Sequence, residues 1–285
     1  AQEQDTTYIQ DFGQALQLKL PFTFRDFNYK VGDTGLPSAR YRSNSMLFVG
    51  IGAVYRNLQL QLLVPVAKFR QTDNDFDTKA IDFNIGLKTN FLNGNAYIKE
   101  YKGFSVLTDN NSEEVYLPEA VFLKIGVNGF LNLNSDFSMV CSYKQSQRQL
   151  KATGSFLPGI NAYYMENYYP DNSPEYTELN NVGPLLNFNL LAGYAFNFPI
   201  RTKYIISPLA FVGGGMYLPA NEQATGQTQG FSFLYNARLL FGYIGDKWVY
   251  GAIAEVENSF LTGSDYTFNH NSIFVKFSIG YRMVY

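Results

Sequence analysis

The chain has one histidine, one cysteine and one tryptophan among 285 residues, and no apolar run approaches the roughly 18 to 20 residues that a membrane-crossing helix requires. A lone cysteine excludes an internal disulfide, and no metal-ligand spacing surrounds Cys141. Cys141 is therefore expected to be a small apolar residue of a structural wall, and no metal or other cofactor is expected. Charged residues make up 16% of the chain with a net charge of -2, which excludes a global attraction to nucleic acid or to anionic lipid. The opening residues Ala1-Gln2-Glu3-Gln4-Asp5 lack the basic and apolar regions of an export signal, so an exported protein is expected to be numbered here from its mature start.

What is abundant is aromatic, with 22 Tyr and 25 Phe. From Ser272 the chain alternates to its end: Ile273, Val275, Phe277, Ile279, Tyr281, Met283 and Tyr285 on one face, Phe274, Lys276, Ser278, Gly280 and Arg282 on the other. Side chains alternate across a strand, so this segment lies between an apolar medium and a polar one. With spanning helices excluded, a closed sheet is the remaining way to cross a bilayer. A mean hydropathy of -0.16 does not argue against this, because every second residue of such a strand faces water.

Similar segments, separated by Asn, Asp, Gly and Ser clusters, occupy 15–24, 45–55, 58–66, 81–88, 95–107, 121–128, 137–149, 185–196, 203–217, 231–243, 248–261 and 272–285. The expected fold is all-β: an antiparallel up-and-down transmembrane β-barrel of twelve strands, with fourteen or ten as alternatives. In 95–107, Lys99, Glu100, Tyr101 and Lys102 put charge on both faces, as expected where a strand rises above the bilayer. Short links at 56–57, 91–94, 132–136, 199–202 and 245–246 alternate with long ones at 26–44, 71–78, 108–118, 218–230 and 262–271. Outer-membrane barrels have short periplasmic turns and longer external loops, so both termini are expected in the periplasm. One domain, 1–285, is expected, with a periplasmic segment at 1–14. The alternation also requires 151–183 to be one long extracellular loop; a strand at 156–164 would raise the count to fourteen.

In Tyr41-Arg42-Ser43-Asn44, Glu100-Tyr101-Lys102-Gly103-Phe104, Phe137-Ser138 and above all Gln147-Arg148-Gln149-Leu150-Lys151-Ala152-Thr153-Gly154-Ser155-Phe156, and over most of its length, the chain resembles a family of uncharacterised outer-membrane β-barrels found in Bacteroidota. Where that family usually has Pro before the Asn near the second strand, this chain has Ser43. The resemblance implies a barrel in a Gram-negative outer membrane, in contact with lipopolysaccharide and phospholipid and with room for other outer-membrane proteins or lipoproteins as partners. It carries over no catalytic residue.

The inward parity places Lys19, Arg25, Lys88, Lys124, Lys144, Arg148, Arg238, Lys276 and Arg282 in the lumen against Asp82, Glu255 and Glu257. An excess of cations in a narrow lumen attracts anions, which makes these residues candidates for an anion pathway or binding site. The competing structural reading is a hydrogen-bonded lattice, with Gln59, Gln61, Asn84, Asn128, Asn187 and Asn236, that fills a small barrel. His270 and Ser272 form a His-x-Ser that looks like that of outer-membrane phospholipase, with Asn258 or Glu257 to orient the base. Parity points both into the lumen and away from lipid unless the strand bends before Ser272, so no enzyme is expected, and the single His270 is expected to be an exposed loop residue. In the expected loop, Tyr168, Tyr169, Asp171 and Glu175 stand with other acidic and aromatic residues that suit Ca²⁺, a glycan or a protein partner, or simply fold over the mouth. Gly213-Gly214-Gly215 has no following helix to make a phosphate loop and is expected to relieve crowding or kink its strand. Two roles compete: a narrow channel or transporter for small anionic or amphiphilic solutes, and an accessory barrel of a larger assembly.

Overall fold

The structure is a computed structural model that describes residues 7–12, 15–33, 36–69, 77–108, 114–168, 184–220, 229–263 and 266–283. Its strands are β1 (Ile9–Asp11), β2 (Leu16–Asp33), β3 (Leu36–Arg42), β4 (Met46–Tyr55), β5 (Leu58–Lys68), β6 (Lys79–Lys88), β7 (Leu92–Thr108) and β8 (Val115–Leu131). A short helix α1 (Met139–Tyr143) follows, then β9 (Gln147–Gln149), β10 (Thr153–Tyr168), β11 (Leu185–Ile200), β12 (Tyr204–Pro219), β13 (Gly230–Ile244), β14 (Trp248–Thr262) and β15 (Tyr266–Met283). Apart from β1, β3 and β9, the strands close into an antiparallel ring of twelve, sealed where β15 pairs with β2.

The alternation read from the sequence decides which side of the wall each residue takes. Ile51 is 69% exposed, Val66 57% and Phe277 58%, while Lys124, Asn187 and Ser272 on the opposite parity are buried inside. Near the turns that follow β11 and β13 and at the end of β15, Phe198, Tyr204, Tyr250, Trp248 and Tyr281 form an outward aromatic belt in which Trp248 meets Tyr281 edge-on at 5.0 Å. Such a belt belongs at a membrane–water interface.

Three of the expected loops are strand. The 26–44 link continues β2 to Asp33 and returns as β3, and the 262–271 link yields to β15 from Tyr266. These additions change the barrel's shape. β2 pairs with β4 from Gln17 to Arg25 and with β3 from Asn28 onward; β7 pairs with β6 as far as Lys102 and with β3 from Ser105. The three-strand section β4–β6 therefore stops short, and β3 alone bridges the gap above it, so the ring narrows from twelve strands to ten at the end where the loops lie. The Tyr41-Arg42-Ser43-Asn44 motif is this branch point: Ser43 donates its backbone amide to Phe27 O at 3.1 Å and Asn44 its amide to Thr78 Oγ1 at 3.1 Å. The Glu100–Phe104 motif is the other side of it. Gly103 has φ +89°, and a Cβ there would come within 2.7 Å of Asp77 O, so only glycine fits this shift in register.

The third correction concerns 137–149 and 151–183. The seventh wall strand is β10, within the expected loop, and 137–149 is no wall strand. Between β8 and β10 the chain turns into the lumen and fills the end opposite the loops. The count of twelve stands, reached with a different seventh strand. The Gly213-Gly214-Gly215 run lies unbroken in β12, where a Cβ on Gly213 would meet Leu190 O at 2.9 Å, so it relieves crowding and does not kink the strand.

Candidate functional site: a closed cationic cavity

The inturned segment is built as a plug. Ser138 caps α1 by accepting a hydrogen bond from the Cys141 amide at 3.0 Å, and its hydroxyl donates to Gln147 Oε1 at 2.6 Å. Gln145, with φ +57°, turns the chain back into β9, which pairs with β1 from the N-terminal segment. The most specific motif of the family-like sequence is thus the plug strand running into β10. Wall residues grip it throughout. Asn197 Nδ2 donates to Ser138 O at 2.9 Å and Gln145 Nε2 to Tyr250 O at 2.8 Å. Arg148 donates to Ile244 O at 2.7 Å and Asp246 at 3.0 Å, and Arg282 to Gly245 O and Gln145 O, both at 2.8 Å. The hydrogen bond from Arg148 holds the Asp246 carboxyl below its ordinary range. Burial lowers the Lys144 ammonium to about 8, and its contacts are the carbonyls of Lys88 at 3.1 Å and Arg56 at 3.4 Å.

Cys141 is therefore a fully buried plug residue, not one of the wall, and burial pushes its thiol up to about 12. The thiolate is the reactive form, so at pH 8 Cys141 holds about a thousandfold less of it than a cysteine near 9. Maleimide is expected to label native protein at least about a hundredfold more slowly than unfolded protein. Equal rates in intact barrels would mean that the plug leaves the lumen freely.

The loop end is closed by rings. Where β3 narrows the barrel, Phe27 stacks on Tyr101 at 4.4 Å, Tyr29 on Tyr41 at 4.5 Å, and Phe122 lies 4.9 Å from Phe27. Phe104, Phe268, Met46 and Phe48 complete a cluster whose members are nearly all fully buried. Tyr29 donates its hydroxyl to Asn167 Oδ1 at 2.7 Å.

Between plug and rings lies a polar cavity of about 220 Å³. Of the expected lumen charges, Arg25, Asp82, Lys88, Lys124, Arg238, Glu255, Glu257 and Lys276 line it. Lys99, which the charge on both faces of 95–107 obscured, lines it as well. Its parity with Tyr97 and Tyr101 was the available signal. Lys19 lies nearer the plug and donates to Gln145 Oε1 at 3.2 Å, while Arg282 clamps plug to wall. Lys144 and Arg148 belong to the plug itself. Gln59, Gln61, Asn84, Asn128 and Asn236 also line the cavity, so the interior is packed at its ends and open in its middle.

His270 is not an exposed loop residue: it is 3% exposed, inside β15, and packs against the rings of Phe27 at 5.1 Å and Phe122 at 6.0 Å. Its Nδ1 lies 3.4 Å from Ser259 Oγ on the facing strand, so the structure places the histidine against Ser259. Ser272 is buried on the same inner face. Of the expected loop-binding residues, Tyr168 ends β10 and is 44% exposed, and Tyr169, Asp171 and Glu175 lie outside the described residues. Among the described residues no cluster of His, Cys, Asp or Glu is suited to a metal ion.

A closed antiparallel ring with an apolar outer wall, an aromatic belt and a polar interior defines an outer-membrane β-barrel. The chain belongs to the family described as a domain of unknown function (DUF4421), whose model matches residues 3–283. No curated protein matches the chain. Among solved structures it is similar to the translocator domain of the autotransporter NalP from Neisseria meningitidis, with 14% identity, a TM-score of 0.43, and coverage of 98% of this chain and 90% of that one. It is also similar to the β domain of the Bordetella autotransporter BrkA, at 11% identity, TM-score 0.41, covering 94% and 99%, and to the outer membrane protease OmpT from Escherichia coli, at 6%, 0.40, 94% and 97%.

Proposed function

We propose that the barrel takes small anionic solutes into its lumen and passes them across a Gram-negative outer membrane when its two seals open. The observation that carries this reading is the cavity between plug and rings in which, among the described residues, Arg25, Lys88, Lys99, Lys124, Arg238 and Lys276 face Asp82, Glu255 and Glu257 alone. A lumen built only to be filled would not need an excess of buried cations, which are unfavourable without counter-charge. The plug enters from the end with the shorter turns, the one that faces the periplasm in outer-membrane barrels. Both termini lie at that end in this reading, and the resemblance to barrels of Bacteroidota agrees with the compartment. No enzymatic step is part of it: His270 and Ser272 are buried inside, away from bilayer lipid. The test is flux from proteoliposomes, where small anions are expected to leave faster than cations of equal size and faster than from protein-free vesicles. Absence of anion flux would overturn the reading.

A second reading, an accessory subunit of a larger outer-membrane assembly, is favoured by one observation. On the outer face, opposite residues Asn271, Asn28 and Arg42, each half-buried, form a polar row across β15, β2 and β3. Such a row suits headgroups or a protein partner better than lipid tails. An outer-membrane protein or lipoprotein that co-purifies with the wild type and is lost on Asn28→Leu with Asn271→Leu would support it.

A further inference from the structure

The charges lining the cavity fall into two sets. Towards the aromatic rings every cation has a carboxylate: Arg25 pairs with Asp82 at 2.5 Å, and Lys124 and Lys99 share Glu257 at 2.9 and 3.6 Å. Against the plug that pairing is lost. Lys88, Arg238 and Lys276 line the cavity there with Glu255 alone, which stands 3.9 Å from Arg238 Nε and already accepts a hydrogen bond from Asn236 at 2.7 Å. Among the described residues no carboxylate lies within 4.0 Å of Lys88 or Lys276. Lys88 is 4% exposed, and the partner its ammonium has is the ring of plug residue Tyr143, 4.5 Å away. Arg238 lies 4.0 Å from the same ring and donates to Ser142 O at 3.1 Å. Three cations and one carboxylate thus converge beneath the plug, two of the cations on one tyrosine.

We propose that this half of the cavity binds one small inorganic oxyanion, such as phosphate or sulfate, held between Lys88, Arg238 and Lys276. The inference rests on reading the cavity as a solute site and names its ligand class. A buried ammonium without counter-charge is unfavourable, and a doubly charged oxyanion matches the local excess of two positive charges. The guanidinium offers paired donors suited to a planar edge of such an anion, and the lysines act as point charges that follow its position. Tyr143 above and Phe130, Leu191 and Phe211 at the side enclose the space, so the ligand is a free ion and not a headgroup still attached to its acyl chains. The cavity as a whole, about 220 Å³, has room for the ion in this half together with waters at about 30 Å³ each.

The experiment is equilibrium dialysis of purified barrel in zwitterionic detergent at low ionic strength against radiolabelled orthophosphate, with sulfate as competitor. Saturable binding of one phosphate per chain is expected. Lys88→Gln with Lys276→Gln is expected to weaken it at least tenfold, Lys88→Arg to retain it, and Lys102→Gln, which removes a cation from the exposed Lys102–Glu119 pair, to leave it unchanged. Folding of each variant is checked by heat-modifiable migration, and if Lys88→Gln does not fold, the half-buried Lys276→Gln carries the same expectation alone. No saturable binding by the wild type, or undiminished binding by the folded double variant, would overturn the site. Phosphate flux from proteoliposomes, measured in parallel, separates the two claims. Binding without flux leaves the site standing and overturns only the transport reading; flux that persists unchanged in the double variant overturns only the site.

Discussion

A barrel stripped of both seals should conduct, and a barrel stripped of either one should not. The first variant removes 136–150 and joins Ser135 to Lys151 through a glycine linker. The ends are adjacent, since Asn134 Nδ2 donates to Thr153 Oγ1 at 3.2 Å and to Gly154 O at 2.8 Å. The second variant carries Phe27→Ala and Phe122→Ala, which removes the two rings that meet at 4.9 Å in the centre of the loop-end cluster. In planar bilayers the wild type and each variant alone are expected to show no resolved steps, because seals that open only transiently give a slow solute flux and no standing current. The combined variant is expected to show steady steps at least tenfold above that background, because a ring of twelve strands is wider than the eight whose interior side chains fill. Its current should favour anions, since the floor exposed by excision carries Lys19, Lys88, Arg238, Lys276 and Arg282. Steady current from the wild type would show that the lumen is not sealed, and cation preference in the combined variant would remove the basic lumen as its cause. Charge reversal belongs at Lys88 and Arg238: Arg148→Glu acts on a residue that fastens the plug at Ile244 and Asp246, so it alters the seal along with the charge.

The second large effect is on stability. Arg25 and Asp82 form a pair whose side chains are each 7% exposed, with Tyr101 accepting a second hydrogen bond from Arg25 at 2.8 Å. Asp82→Leu leaves a guanidinium in the lumen with only a phenol oxygen and the rings of Phe48 and Phe274 around it. Removing one member of a buried pair costs about 3 to 5 kcal/mol, whereas replacing both members by apolar groups of similar size is close to neutral. Urea unfolding in lipid vesicles should therefore place Asp82→Leu about 3 to 5 kcal/mol below the wild type, with Arg25→Met and Asp82→Leu together recovering most of the loss. Equal instability of single and double variants would mean that the pair is not what holds Arg25 inside.

Much of the wall was legible in order. The assignments of Ile51, Leu60, Val66, Ile125 and Phe277 to lipid and of Lys124, Glu257 and Arg238 to the lumen follow from a period of two, and a one-residue error would turn every side chain to the wrong medium. The plug was misread for a specific reason. Phe137, Met139, Cys141 and Tyr143 alternate with Ser138, Ser142 and Lys144, so a buried helix flanked by polar turns imitates a strand. A contrary signal was present: continuing the same parity would turn Gln145, Gln147 and Gln149 to lipid, where each amide would be unsatisfied. Thr153–Tyr168 obeys the parity instead, with Phe156 and Ile160 outward and Leu157, Tyr163 and Met165 buried.

By itself the sequence determined a membrane-spanning closed sheet, the face of each residue in the eleven wall strands it located, and the cationic sign of its interior. These are consequences of local alternation in a chain that must satisfy its backbone within the bilayer. Tertiary structure decided the rest: which segment fills the lumen, that β3 narrows the ring to ten strands, and that among the described residues Lys88 and Lys276 have no carboxylate beside them while Lys99 and Lys124 share one. Those facts depend on contacts between residues far apart in the chain, such as Lys124 with Glu257 and Arg148 with Ile244, and periodicity along a single strand carries no information about its partner across a lumen.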